Sequence, residues 1–205
     1  MQIMASHTGF QKMSMKRILL FLVLQGILSW HISYAGGEPW RSDTLMLPQY
    51  CKDRVQSKKD FEKKWRSTFG EALIHIHHYC GGIYAEKKAR IATDKGVRER
   101  LLGEVIHQMG YVSNHCNEHC VLYPELQTRW AWALGESGLA GEAIKHYQLA
   151  IQAKPKYTPA YARLSELYLE LKKPEEARKI LQQGLTASPK SSMLKRRLEE
   201  LASSG

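Results

Sequence analysis

Residues 75–80 read HIHHYC, and residues 115–120 read HCNEHC. Histidine nitrogen and cysteine thiolate are ligands that zinc accepts. A thiol beside a histidine is also the raw material of a nucleophile. Metal ligation, thiol catalysis and disulfide formation are therefore the chemistries open to these two stretches. On a helical wheel with Phe61 at zero, Cys80 falls near ~100°, within an apolar stripe, and His77 near ~160°. His75 and His78 fall near ~320° and ~260°, on the opposite face. One helix cannot aim all four groups at one ion. Cys80 is thus expected in a buried disulfide, with the outer histidines solvated. If residues 115–120 are helical, His115, Cys116, His119 and Cys120 lie within about 140° of arc. They form a candidate set for zinc or another transition metal. Asn114 and Asn117 are weak helix formers, so the stretch reads equally as a helix end or loop.

The compartment bears on which chemistry applies. Lys16 and Arg17 precede ILLFLVLQGILSW, an uncharged apolar run, and Ser33 and Ala35 stand at −3 and −1 of a small-residue exit. This is the pattern of a secretory signal peptide over residues 1–35. The chain is expected to be exported, periplasmic or secreted; the alternative is a membrane anchor formed by an uncleaved N-terminal segment. A start at Met13 or Met15, rather than Met1 or Met4, gives a more usual leader length. All four cysteines, Cys51, Cys80, Cys116 and Cys120, follow the leader. An even count in an exported chain favours disulfides. Three pairings are possible; the set Cys51–Cys80 with Cys116–Cys120 is favoured, with crossed pairings and free thiols left open. A Cys116–Cys120 bridge requires the backbone to leave ideal helix. No G-x-S-x-G, H-E-x-x-H or P-loop pattern occurs, so no catalytic role is expected. No cofactor is expected unless the metal alternative holds.

The whole sequence carries a formal charge of +10. Loss of the leader removes Lys12, Lys16 and Arg17 and no acid, so the remainder stays basic. The basic residues gather at 52–66 and 86–100, where they could meet an anionic membrane surface or an acidic polysaccharide. Nucleic acid is not an expected partner outside the cytoplasm.

These side chains are positioned by helices. Residues 36–56 lack periodicity and read as an extended lead-in or linker. Phe61, Trp65, Phe69, Leu73, Ile76, Cys80 and Ile83 recur at helical spacing, with a possible break at Gly70. ATDKG at 92–96 reads as a turn. A second stripe, Val97, Leu101, Val105, Met109 and Val112, completes a helical hairpin within residues 57–121. Beyond it the chain repeats. Glu142 and Glu176, Ala143 and Ala177, and Pro155 and Pro189 are each 34 residues apart. A period of that length with small residues at fixed offsets means stacked helix pairs.

The last stretch resembles the tetratricopeptide repeat family. Ala143, Tyr147, Ala150 and Pro155 fit its positions in a first repeat, about 124–157. Leu164, Tyr168, Ala177 and Pro189 fit in a second, about 158–191. Gly138 fits the inter-helix turn. Trp130 and Ala131 depart from the usual Leu-Gly pair, and Gly184 replaces an alanine. Residues 192–202 read as a polar capping helix, completing 122–205. The 60–120 stretch, with Trp65, Phe69, Gly70 and HIHHYC, resembles exported bacterial repeat proteins. The expected fold is all-α: helical hairpins stacked as a short solenoid, with residues 57–121 as an irregular unit.

The resemblance also implies a concave groove lined by the first helix of each repeat. Carried over, its positions are Glu125, Thr128, Trp132, Gly135 and Glu136, then Pro159, Ala162, Glu166, Leu169 and Glu170. Met193 and Arg196 continue the row. Four glutamates around Trp132 predict a locally acidic face with an aromatic anchor, suited to a basic or amide-rich protein segment. The expected function is an interaction or assembly module; the alternative is metal binding through 75–80 and 115–120.

Overall fold

A computed structural model describes residues 41 and 43–203, all as helices, turns and loops. The leader expected over 1–35 lies outside the described residues. The helices are α1 Gln49–Gln56, α2 Lys58–Phe69, a 3-10 helix Gly70–His75, α3 Ile76–Ile91, α4 Lys95–Ser113, α5 Tyr123–Glu136, α6 Ala140–Ala153, α7 Thr158–Glu170, α8 Pro174–Ala187 and α9 Ser192–Ser203. The architecture is all-α, as the periodicity predicts. No helix among the described residues is long and apolar enough to cross a membrane.

Helix α1 corrects the extended reading of residues 36–56 over its last part, 49–56. Eight residues are too few for a helix to stand alone in water. Tertiary contacts hold this one: Cys51 is bonded to Cys80 on α3, and Tyr50 meets Trp65, Phe69 and Tyr79. Asp53 accepts hydrogen bonds from Lys64 at 2.7 Å and Trp65 Nε1 at 2.8 Å, tying α1 to α2. Ser57 caps α2 by accepting from the Asp60 amide. The chain then turns at Gly70, whose φ of +54° suits a residue without Cβ. The following 3-10 turns rephase the face before α3 begins.

Helices α3 and α4 form the predicted hairpin, joined by a turn in which Asp94 caps α4 through the Val97 amide at 2.7 Å. Helix α3 is buried on several sides, through Ile76, Tyr79, Cys80, Ile83, Ala85 and Ala89. At Gly82 a Cβ would lie 2.5 Å from Met109 Cε, so the hairpin closes tightly there. Each large apolar side chain buried in it contributes roughly 1.5–3 kcal/mol.

The pairs α5/α6 and α7/α8 follow, and α9 covers the last. Ala143, Ala150 and Ala177 are fully buried where helices cross. Helices α6 and α8 end at Ala153 and Ala187, two residues before Pro155 and Pro189. Helices α3, α5, α7 and α9 contact one another in succession and form one inner row. Two apolar clusters fill the body, one in the first hairpin region and one in the repeats. Ile106 and Trp130 pack against both. Trp130 thereby explains its departure from the family pattern: its ring lies against Gly110 of α4, where a Cβ would come within 3.3 Å.

Candidate functional site

Both cysteine pairs form disulfides, Cys51–Cys80 and Cys116–Cys120. Helix α4 stops at Ser113, and residues 114–122 form turns, so the backbone leaves the helix and Cys116 can reach Cys120. The metal alternative needs thiolates there, and both sulfurs are spent. His115 Nδ1 donates to the Tyr111 carbonyl at 2.9 Å, and His119 points to solvent beside Glu118. No group of three His, Cys, Asp or Glu side chains among the described residues is placed to hold a metal ion.

The outer histidines are only partly solvated. His75 stacks on His115 with ring centroids 3.9 Å apart, and His78 lies 4.0 Å from Tyr111. His78 Nδ1 donates to Gln108 Oε1 at 2.7 Å. The wheel missed this because it ran α-helical phase through residues 70–75, whereas the 3-10 segment turns His75 toward α4. Burial, then His115 and His78, lower the pKa of His75 from the ordinary value.

The inner row gathers more functional side chains than the repeats alone provide. Helix α3 contributes Glu86 and Arg90, which no repeat pattern marks. Arg90 lies over Trp132, its Cζ 3.9 Å from the ring centroid, and binds Glu86 at 2.7 Å. Glu86 also pairs with Arg129, and Arg129 reaches Glu125 at 2.6 Å. Burial alone would raise the carboxyl of Glu86, but Arg129 and Arg90 hold it below the usual range. Farther along, Glu136 pairs with Arg98, and Glu166 with both Arg163 and Arg197.

Two expectations for this face change accordingly. Trp132 is only 7% exposed and sits beneath Arg90, so it is a wall of the groove rather than a free anchor. Thr128 is also buried, its hydroxyl donating to the Pro124 carbonyl at 2.8 Å, and Ala162 is buried with it. Nor is the face simply acidic, because guanidinium groups match most of its carboxylates. Glu125, Glu136, Glu166 and Glu170 do line the row, Leu169 is exposed near its end, and Met193 and Arg196 stand exposed on α9. Arg129, Arg163 and Arg197 stand 34 residues apart, so the repeat period itself marks this arginine column. Two adjoining hollows open on the row. One of about 130 Å³ lies by Glu86, Arg129 and Tyr157; the other, of about 90 Å³, lies by Gly135, Glu166 and Glu170.

The basic segments divide. In 86–100, Lys88 pairs with Asp43, Arg90 with Glu86, Lys95 with Glu99 and Arg98 with Glu136. In 52–66, Arg54 and Lys58 form no ion pair among the described residues and edge a separate cavity of about 500 Å³ over Phe61 and Leu73.

Residues 136–198 match the Tetratricopeptide repeat family model. No curated protein matches the sequence. Among solved structures, the first TPR of Spaghetti (RPAP3) bound to the HSP90 peptide SRMEEVD is 22% identical, with a TM-score of 0.43 over 60% of this chain and 94% of that one. The Sgt2 TPR domain from Aspergillus fumigatus is 19% identical, with a TM-score of 0.45 over 60% of this chain and 78% of that one. The first TPR domain of human RPAP3 is 22% identical, with a TM-score of 0.43 over 60% and 90%.

Proposed function

We propose that this protein is an exported, non-catalytic interaction module that holds an extended protein segment along the inner row of α3, α5, α7 and α9. The observation that carries the reading is the continuity of that row. The irregular hairpin adds Glu86 and Arg90 to the face built by the repeats, so charged groups extend past the two repeats. The match of residues 136–198 to a repeat family supports the same reading. Ordered ion pairs over a buried indole wall suit a segment of mixed polarity, which can exchange partners with them. Export is supported by the N-terminal pattern of residues 1–35 and by two disulfides, which persist in oxidising compartments.

The test is selection from a random peptide display library on the oxidised protein. Peptides using the row should lose about tenfold or more in affinity on Glu166→Lys, which replaces the carboxylate shared by Arg163 and Arg197. The melting curve of the variant controls for folding. Selected peptides that bind wild type and variant alike would mean that the row is not the binding face.

A further inference from the structure

The stretch of the inner row between α5 and α7 holds one acid that differs from the rest in its pairing. Glu86, Glu125, Glu136 and Glu166 each have a guanidinium partner. Glu170, one turn beyond Glu166, has none among the described residues. Partial burial, then Glu136 and Glu166, raise its pKa above the ordinary carboxylate value.

A second, independent feature faces the same hollow. Tyr147 reaches it from α6 and is only 2% exposed. Its hydroxyl has no hydrogen-bond partner among the described residues. The ring is buried, but the hydroxyl itself is not closed off, so it stays open to accept a hydrogen bond from a group in the hollow. Glu166 and Glu170 lie within its electrostatic reach, as do Arg163 and Arg90.

We propose, building on the groove reading above, that this hollow seats one cationic side chain of the bound segment, a lysine ammonium. Glu170 is its counter-ion and the Tyr147 hydroxyl its neutral acceptor. An ammonium carries three N–H donors and no acceptor, so it can donate to both groups and still reach water. The hollow, about 90 Å³, has room for one side-chain head and not for a helix. Arg90 and Arg163 also line it, but both are held by other groups: Arg90 by Glu86 and the Trp132 face, Arg163 by Glu166 at 3.1 Å. Their charge is therefore largely neutralised before a ligand arrives.

The experiment has two arms, each run on wild type and on Glu170→Gln, a substitution of nearly equal size. In the first, the display selection is sequenced. Lysine should be enriched at one position of the peptides that depend on the row, and that enrichment should vanish on Glu170→Gln. Row-dependent peptides without the enrichment, or with it unchanged on the variant, overturn the seat and leave the groove reading standing. If no row-dependent peptide emerges, the groove reading fails, and the second arm alone decides. There, N-acetyl-lysine methylamide is titrated while the Tyr147 ring is followed by NMR, with the norleucine analogue as control. A saturable shift specific to lysine and lost on Glu170→Gln supports the seat. No shift, an equal shift with norleucine, or an unchanged shift on the variant means that Glu170 is a solvated acid only.

Discussion

The two halves of this protein solve one problem differently. Residues 122–203 approach closely through small side chains at the repeat period: Ala143, Ala150, Ala177 and Gly184. No disulfide lies among them. Residues 43–121 lack that regularity. They use aromatic contacts around Tyr50, two disulfides and a short helix that cannot stand alone. Stacked repeats draw their stability from neighbours of the same shape. A unit without such a neighbour needs other constraints, and cross-links that restrict the unfolded chain serve that purpose. The comparison teaches that the first hairpin, built without the repeat's small residues, still extends the inner row of the repeats.

Removing the cross-links should do the most to break this contrast. Cys51 and Cys80 are 29 residues apart, and a loop of that length corresponds to about 3.5 kcal/mol of stabilisation. The double substitution Cys51→Ser/Cys80→Ser should cost that much in urea unfolding; Cys116→Ser/Cys120→Ser, closing a far shorter loop, should cost about 2 kcal/mol. Losses below about 1 kcal/mol for both would mean that packing alone holds the first half, and the contrast would collapse.

Smaller effects sharpen the account of the repeats. A Cβ at Gly184 would lie 2.7 Å from Leu194 Cδ1 and 2.8 Å from Tyr161 Cγ, so even the family's alanine overfills this crossing. Gly184→Ala should cost about 1 kcal/mol net, as overpacking outweighs the gain in helix propensity. The opposite sign is expected 34 residues after Gly138, whose φ is +82°. There Lys172 takes φ +58°. Lys172→Gly should stabilise by roughly 0.5 kcal/mol by relieving the left-handed backbone. Thermal melts of the two variants check both signs.

The smallest effect is the response to pH. Both His75 and His146 have lowered pKa values, so the unfolded chain binds more protons than the folded one on acidification. Stability should therefore fall as pH drops through the ordinary histidine value of 6.5. Burial, His115 and His78 all act in that direction on His75. On His146, burial acts with Lys145, while Glu142 opposes them. Melting from about pH 7.5 to about pH 5.5 should thus show a weaker slope in His75→Phe and in His146→Phe than in the wild type. A slope unchanged by both substitutions would mean that neither site carries the acid response.

Much of the fold was legible in the sequence, because periodicity reports burial directly. The stripe from Phe61 to Ile83, the break at Gly70 and the alanines of the repeats all follow from which residues must leave water. The site was less legible. Arg129, Arg163 and Arg197 repeat at the same period as the alanines, yet a consensus built on small packing residues passes over them. Glu86 and Arg90 lie outside any repeat, and no local pattern carries them to Trp132.

By itself the sequence determined the helical class, the repeat length, the turn at Gly138 and the ends of the helices before Pro155 and Pro189. Each rests on local rules, either residues within a turn or two of one another or a period along the chain. Only the tertiary structure decided that α3 joins the inner row, that Arg90 covers Trp132 and that His75 stacks on His115. It also decided that Glu170 is left without a cation. Those are contacts between residues 40 or more positions apart, or the consequences of such contacts, set by how helices stack and how a short 3-10 segment rephases the chain.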